Sequence, residues 1–286
     1  MKILDGKKIA ERIKEEIKSE VLELKNDGIV PGLAVIIVGN DSASKIYVNN
    51  KKKACEEVGI NSEVYELEEK TSQEELLKLI KKLNQDEAVH GILVQLPLPE
   101  HINKDEIILA IDPKKDVDCF HPENIGKVFL ELPEILPCTP AGIIEILKEY
   151  EIEVIGKNIV IVGSSNIVGK PLAIMMINAG ATVTVCNLET KNLKEECLKA
   201  DILVTAAGKA GLITSDMIKQ EAVVIDVGMN RGLENKLAGD VDFQPVSKIA
   251  GAITPVPGGV GPMTIVELLK NTLRATKSVN KYANRS

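Results

Sequence analysis

Ser44, Tyr47, Lys51 and Cys55 recur at intervals of three, four and four residues, the spacing that aligns side chains along one face of an α-helix. A primary amine on such a stripe, one turn from a phenol, can carry a proton in a reaction. Taken alone, a Lys-Lys-Lys run is a common solvated face, and Lys52 and Lys53 turn away by about 100° per residue on an ideal helix. They still lend positive potential to the neighbourhood of Lys51. The stripe begins just after Gly39-Asn-Asp41, which closes an apolar run, and sites in α/β proteins gather at the carboxyl ends of strands. Three further stretches carry polar groups in apolar settings. Gly91-Ile-Leu-Val-Gln95-Leu-Pro-Leu-Pro99 reads as a buried strand ending in an amide. Lys115-Asp-Val-Asp118-Cys-Phe-His-Pro122 and Pro137-Cys-Thr-Pro140 follow it.

A second chemistry is suggested farther along. The apolar run Asn158–Val162 leads straight into Gly163-Ser-Ser-Asn-Ile-Val-Gly169-Lys-Pro171 and then an apolar helical segment. A strand, a glycine turn and a helix in that order present free amides and a helix dipole to a pyrophosphate. The pattern departs from GxGxxG, with Ser165 at the second glycine and Val168 at the third. Serine is small enough for close approach, and its hydroxyl adds a donor. Gly163, Ser164, Ser165, Ile167 and Gly169 are the candidate cradle. A second strand ends at Cys186, and Asn187 and Glu189 follow where an adenine ribose is expected. A 2′-phosphate calls for Arg or Lys there, whereas the chain offers Ser164, Asn187, Leu188 and Glu189, with Lys170 and Lys191 the nearest cations. That leans towards NAD over NADP. Near the end, Ile253–Thr264 packs three prolines and three glycines into twelve residues, a stiff loop whose backbone can approach a flat ligand.

The elements that must hold these residues alternate between short β-rich runs and helix-period segments, which predicts an α/β fold with mostly parallel sheets. Strands are expected at Leu33–Val38, Ser62–Leu67 and Gly91–Leu96, with helices near Ser42–Val58 and Ser72–Leu83. An amphipathic helix over about Lys7–Asp27 precedes them and stops at the Gly28 and Pro31-Gly32 breakers. Thr71-Ser-Gln-Glu-Glu75 is a capped helix start. Seven of the thirteen prolines fall between Leu96 and Pro140, which predicts an irregular crossing between domains. The rhythm then resumes with strands at Asn158–Val162, Thr182–Cys186, Ile202–Ala206, Val223–Val227 and near Ala252–Thr254. A closing helix is expected from about Met263 to Lys277.

Composition limits the partners. Among 286 residues there are four Tyr, three Phe and no Trp, too few for a row of stacking platforms on nucleic acid. The net charge of −7 argues against an electrostatic grip on DNA, RNA or an anionic membrane. No apolar run is long enough to span a bilayer, the start lacks the features of a signal peptide, and a cytoplasmic location is expected. The five cysteines form no CxxC pair and only His90, His101 and His121 could join them, so reduced thiols are expected and no metal site.

Taken in order, these stretches resemble the bifunctional methylenetetrahydrofolate dehydrogenase/methenyltetrahydrofolate cyclohydrolase family, from Leu4-Asp-Gly-Lys7 through Pro255-Val-Pro-Gly-Gly-Val-Gly-Pro-Met-Thr264 and the final helix. The resemblance implies two Rossmann-like α/β domains with an active-site cleft between them. On that pattern residues 1–140, joined by the C-terminal helix from about 263 to 286, form the folate-binding catalytic domain, and residues 141–262 bind the dinucleotide. The family's YVxxK tyrosine and lysine fall on Tyr47 and Lys51, its LVQLPLP glutamine on Gln95 and its KDVDGF aspartate on Asp118. Lys51, Gln95 and Asp118 are then the expected catalytic residues. Ser44, Tyr47, Pro257, Gly258 and Gly261 join them around a folate, with Tyr47 stacked on the pterin. Met229 and Thr264 are expected on the nicotinamide side. The cofactor is NADP or NAD, and the assembly a homodimer. Two departures stand out: Cys119 replaces the usual Gly, and basic residues are missing near Ser164 and Leu188. A dehydrogenase of the amino-acid or shikimate type has a similar plan but does not require Tyr47, Lys51, Gln95 and the PGGVGPMT loop together. A dinucleotide sensor would need only the glycine turn.

Overall fold

A computed structural model describes residues 1–231 and 237–283. In chain order the elements are β1 (Lys2–Ile3), α1 (Gly6–Asn26), β2 (Gly32–Val38), α2 (Ser42–Val58), β3 (Asn61–Leu67), α3 (Gln73–Gln85), β4 (Gly91–Val94), α4 (Lys104–Ala110), α5 (Pro122–Phe129) and α6 (Cys138–Glu149). Then come β5 (Asn158–Val162), α7 (Gly169–Asn178), β6 (Thr182–Cys186), α8 (Leu193–Cys197), β7 (Ile202–Thr205), β8 (Val223–Asp226), β9 (Asn230–Arg231), β10 (Leu237–Ala238), α9 (Phe243–Val246), β11 (Ala252–Ile253) and α10 (Val260–Ala283).

The chain divides into two compact units. One comprises Met1–Glu11, Val128–Glu131 and Thr139–Thr264; the other comprises Arg12–Lys127, Leu132–Cys138 and Ile265–Ser286. The first is built on a six-stranded parallel sheet in the order β1-β11-β8-β7-β5-β6. Residues 1–11 belong to it because Lys2 and Ile3 pair with Ala252 and Ile253 at its edge. Its interior strands are continuous apolar runs, as a parallel sheet covered on both faces requires. Val160, Val162, Leu203, Val224 and Ile253 lie in one buried cluster.

The second unit holds a three-stranded parallel sheet, β3-β2-β4. Central β2 is buried along its whole length, whereas edge strand β3 alternates between exposed and half-buried residues. Ala34, Ile36, Ile92 and Val94 pack with Leu76, Ile80 and Leu83 of α3 and Ile107 of α4. The start of α3 is a complete capping box: Ser72 accepts from the Glu75 amide and Glu75 accepts from the Ser72 amide.

The proline-rich stretch is irregular over much of its length, as the sequence suggests, but it is not without helices. It contains α4, α5 and the start of α6, and most of it belongs to the three-stranded unit. Asn103 caps α4, while Pro122 and Pro140 stand in the first turns of α5 and α6, where the missing N–H costs no helical bond. For the same reason α10 tolerates Pro262 and begins at Val260, three residues before the expected start. No helix among the described residues is long and apolar enough to cross a membrane.

Candidate active site

Helix α2 carries the predicted stripe. Asp41 starts it by accepting from the Ser44 amide at 2.7 Å, and Gly59 ends it in the left-handed conformation, φ 84°. Ser44, Lys51 and Cys55 are buried, Tyr47 is half-buried, and Lys52 and Lys53 face solvent. Burial pushes the Tyr47 phenol up. The Lys51 ammonium donates to Gln95 Oε1 at 3.0 Å. Gln95 follows β4 directly and is fixed twice more: its amide N–H donates to Ile36 O at 2.8 Å, and its side-chain amide to Leu96 O at 2.7 Å. The carbonyl oxygen is thereby turned towards Lys51.

Asp118 completes this group. Burial raises its carboxyl above the usual range, the Lys51 ammonium pulls it back, Asp116 raises it again and a hydrogen bond with Cys138 lowers it. Its backbone is held by a brace that the motif alone does not reveal. Asp116, 2% exposed, bridges to Ile92 of β4 and accepts from Phe120 N at 3.2 Å, His121 N at 2.8 Å and Asn124 Nδ2 at 2.9 Å. Asn271 of α10 donates to Val117 O at 2.8 Å, next to Asp118 in the chain. Cys119 occupies the left-handed region at φ 61°, which explains why glycine suits the position. Its thiol is buried and donates to Ile135 O at 3.4 Å. The neighbouring Lys115 is buried and donates to Leu83 O and Asp86 O at 3.1 and 2.8 Å, satisfying carbonyls at the end of α3.

In the six-stranded unit, β5 leads into the turn from Gly163 to Gly169. Gly163 has φ 121°, and a Cβ there would lie 2.2 Å from Ala206 O. Ser165 Oγ accepts from Val168 N at 3.2 Å, which leaves its hydroxyl hydrogen as the expected donor. Val168 precedes α7 without a side-chain cap. In the first turn Lys170 N donates to Ser165 O at 3.1 Å, Leu172 N donates to Val168 O at 2.9 Å and Pro171 has no N–H, which leaves the Gly169 amide as the candidate donor of that helix start. Ile167 and Ser165 are exposed on the turn. At the end of β6, Asn187 accepts from Glu189 N at 2.9 Å in a local turn that leaves Leu188 fully exposed.

The loop over Pro255–Thr264 is held by two sequence motifs. Lys7 N donates to Gly258 O at 2.9 Å, and Gly6 sits so close that a Cβ would fall 2.0 Å from Gly259 O. This explains Leu4-Asp-Gly-Lys7. Thr139, from Pro137-Cys-Thr-Pro140, shares a 3.0 Å hydroxyl hydrogen bond with Thr264. Met229 lies beside Gly261: its Sδ is 3.7 Å from where a Cβ would stand. Pro257 is exposed and Gly258 has φ 108°. Among the described residues no group of three or more His, Cys, Asp or Glu converges as metal ligands, and the five cysteines are buried free thiols.

Residues 4–118 match the family model for the tetrahydrofolate dehydrogenase/cyclohydrolase catalytic domain, and residues 137–280 match the NAD(P)-binding domain of the same family. The chain belongs to that family. It is 59% identical to the bifunctional protein FolD of Acetivibrio thermocellus over 276 residues, covering 96% of this chain and 97% of that one. The crystal structure of the bifunctional methylenetetrahydrofolate dehydrogenase/cyclohydrolase FolD of Campylobacter jejuni is 54% identical, with a TM-score of 0.96 and coverage of 98% and 99%. The Trypanosoma brucei enzyme, complexed with NADP cofactor and inhibitor, is 40% identical, with a TM-score of 0.93 and 97% coverage of both chains.

Proposed function

We propose that this chain oxidises 5,10-methylenetetrahydrofolate to the 5,10-methenyl compound with a nicotinamide dinucleotide and hydrolyses that product to 10-formyltetrahydrofolate. The observation that carries the reading is the 3.0 Å hydrogen bond from buried Lys51 to Gln95. Asp118 accepts hydrogen bonds from the amino edge of the pterin and orients the ring. Tyr47, one turn before Lys51, presents an aromatic face on which the pterin stacks. A bound dinucleotide supplies the hydride acceptor for the one-carbon bridge.

Loss of hydride leaves a cationic methenyl carbon between two nitrogens. Water then adds to that carbon and gives up a proton, and rupture of one carbon–nitrogen bond leaves the formyl group on the other nitrogen. Lys51 is suited to this stage: Gln95 holds one of its N–H groups, leaving the others to polarise the bridging nitrogen or the attacking water. Gly163 and Gly169 frame the pyrophosphate turn, with the Gly169 amide as a donor. Ser164, Ser165 and Ile167 line that turn, while Pro257, Gly258, Gly261, Thr264 and Met229 line the nicotinamide and substrate side.

NAD is the favoured dinucleotide. Glu189 beside exposed Leu188 repels a 2′-phosphate and accepts from a ribose hydroxyl with Asn187, and Ser164 supplies no positive charge. The family pattern extends the proposal to a homodimer, and composition and charge extend it to a cytoplasmic protein that binds no nucleic acid or membrane. Initial rates with NAD and NADP on 5,10-methylenetetrahydrofolate test the reading. A higher kcat/KM with NAD is expected; a higher value with NADP overturns the cofactor assignment, and no reduction of either overturns the dehydrogenase.

A further inference from the structure

Two buried carboxylates in the six-stranded unit have no part in the chemistry above. Asp240 has no exposed surface and Asp226 is 3% exposed. A buried carboxylate must find donors, and among the described residues these find them mostly in the backbone. Asp240 Oδ2 accepts from Ala207 N at 2.6 Å and Gly208 N at 3.2 Å, while Oδ1 accepts from Lys209 N at 2.9 Å and Asn230 Nδ2 at 2.9 Å. Asp226 accepts from Gly228 N and Asp240 N at 2.9 Å and Val241 N at 3.0 Å. Three segments meet at this pair. Residues 207–209 leave the carboxyl end of β7, residues 227–230 leave that of β8 and include Met229, and residues 239–241 supply the clamp. β7 lies between β5 and β8 in the sheet, and Ala206, just after β7, packs against Gly163 of the cradle.

We propose that Asp240 is a positioning residue for dinucleotide binding: its carboxylate fixes the loops after β7 and β8 as a preformed platform beside the Gly163 turn. The inference rests on the dinucleotide reading of that turn. Asparagine matches aspartate in shape but replaces one oxygen with an NH2. In either orientation that NH2 faces backbone donors, Ala207 and Gly208 on one side or Lys209 on the other, so the clamp fails without a change in size. Because water addition to the methenyl compound needs no dinucleotide, the hydrolase activity reports separately on the rest of the molecule.

The test is steady-state kinetics of both activities for wild type, Asp240→Asn and Asn230→Ala. For Asp240→Asn, KM for the dinucleotide should rise at least about tenfold, with kcat changed less and methenyl hydrolysis held within about twofold. An unchanged KM, or equal loss of both activities, overturns the proposal by leaving Asp240 with no role or only a general structural one. Asn230→Ala removes a single donor and keeps the question open to refutation if Asp240→Asn fails to fold. It should raise KM about threefold with hydrolysis intact, and no change overturns the proposal. A wild-type chain that hydrolyses the methenyl compound but reduces neither dinucleotide overturns the dinucleotide reading itself.

Discussion

In the proposed site, Lys51, Gln95 and Asp118 present long or charged side chains carried by a helix, a strand end and a bridged loop, whereas the proposed dinucleotide turn from Gly163 to Gly169 is mostly backbone. The two regions are stabilised differently. Around Asp118 the supports are side-chain clamps: Asp116 on Phe120, His121 and Asn124, and Asn271 on Val117. Around Gly163 the support is the absence of side-chain volume, since a Cβ would strike Ala206 O. A site made of side chains is sensitive to removing atoms, and a site made of backbone is sensitive to adding them.

The sharpest way to break this contrast is Gly163→Val. Both the positive φ and the Ala206 overlap oppose the new side chain, so dinucleotide-dependent oxidation should fall by about 100-fold or more while methenyl hydrolysis stays within about threefold. Parallel loss of both activities would show that the turn supports more than its own unit. Asp116→Ala probes the other region by removal. It strands three donors in a buried turn and should lower unfolding stability by about 2–4 kcal/mol, measurable by urea denaturation. A loss below about 1 kcal/mol would mean that the turn is held elsewhere.

The smallest effect concerns pH. His90, 7% exposed, accepts from Gly32 N at 3.1 Å through Nδ1, and burial followed by the charge of Lys115 holds its imidazole below the ordinary 6.5. The neutral ring is the folded form. Its contribution is therefore fully present above about pH 6.5 and is lost as pH falls through the depressed value. His90→Gln should flatten the acid limb of stability against pH, and an unchanged limb would assign that slope to the carboxylates.

What the sequence made legible follows the same division. The Ser44–Cys55 stripe reads directly because helical spacing is regular, and the expected limits of α2, β5 and β6 agree with the structure. The glycine turn reads from its strand and helix neighbours. The supports were hidden because each acts across a long separation: Asn271 reaches Val117 over 154 residues, and Asp240 reaches Ala207 over 33. Their one local signal is a polar residue where the pattern demands an apolar one, as at Asp226 after Val223-Val-Ile225. The proline-rich stretch misled in part, because two of its seven prolines, Pro122 and Pro140, stand in first turns where they are compatible with a helix. Cys119 could be marked as a departure, but only the backbone shows that it carries φ 61°.

The central claim is that Lys51, held by Gln95, serves the water-adding step. It is tested most directly by measuring methenyltetrahydrofolate hydrolysis and folate binding in Lys51→Met. Hydrolysis should fall by about 10²–10⁴-fold while folate affinity stays within about threefold, because the proposal assigns the hold on the pterin to Asp118 and Tyr47. Hydrolysis at the wild-type rate would contradict the account.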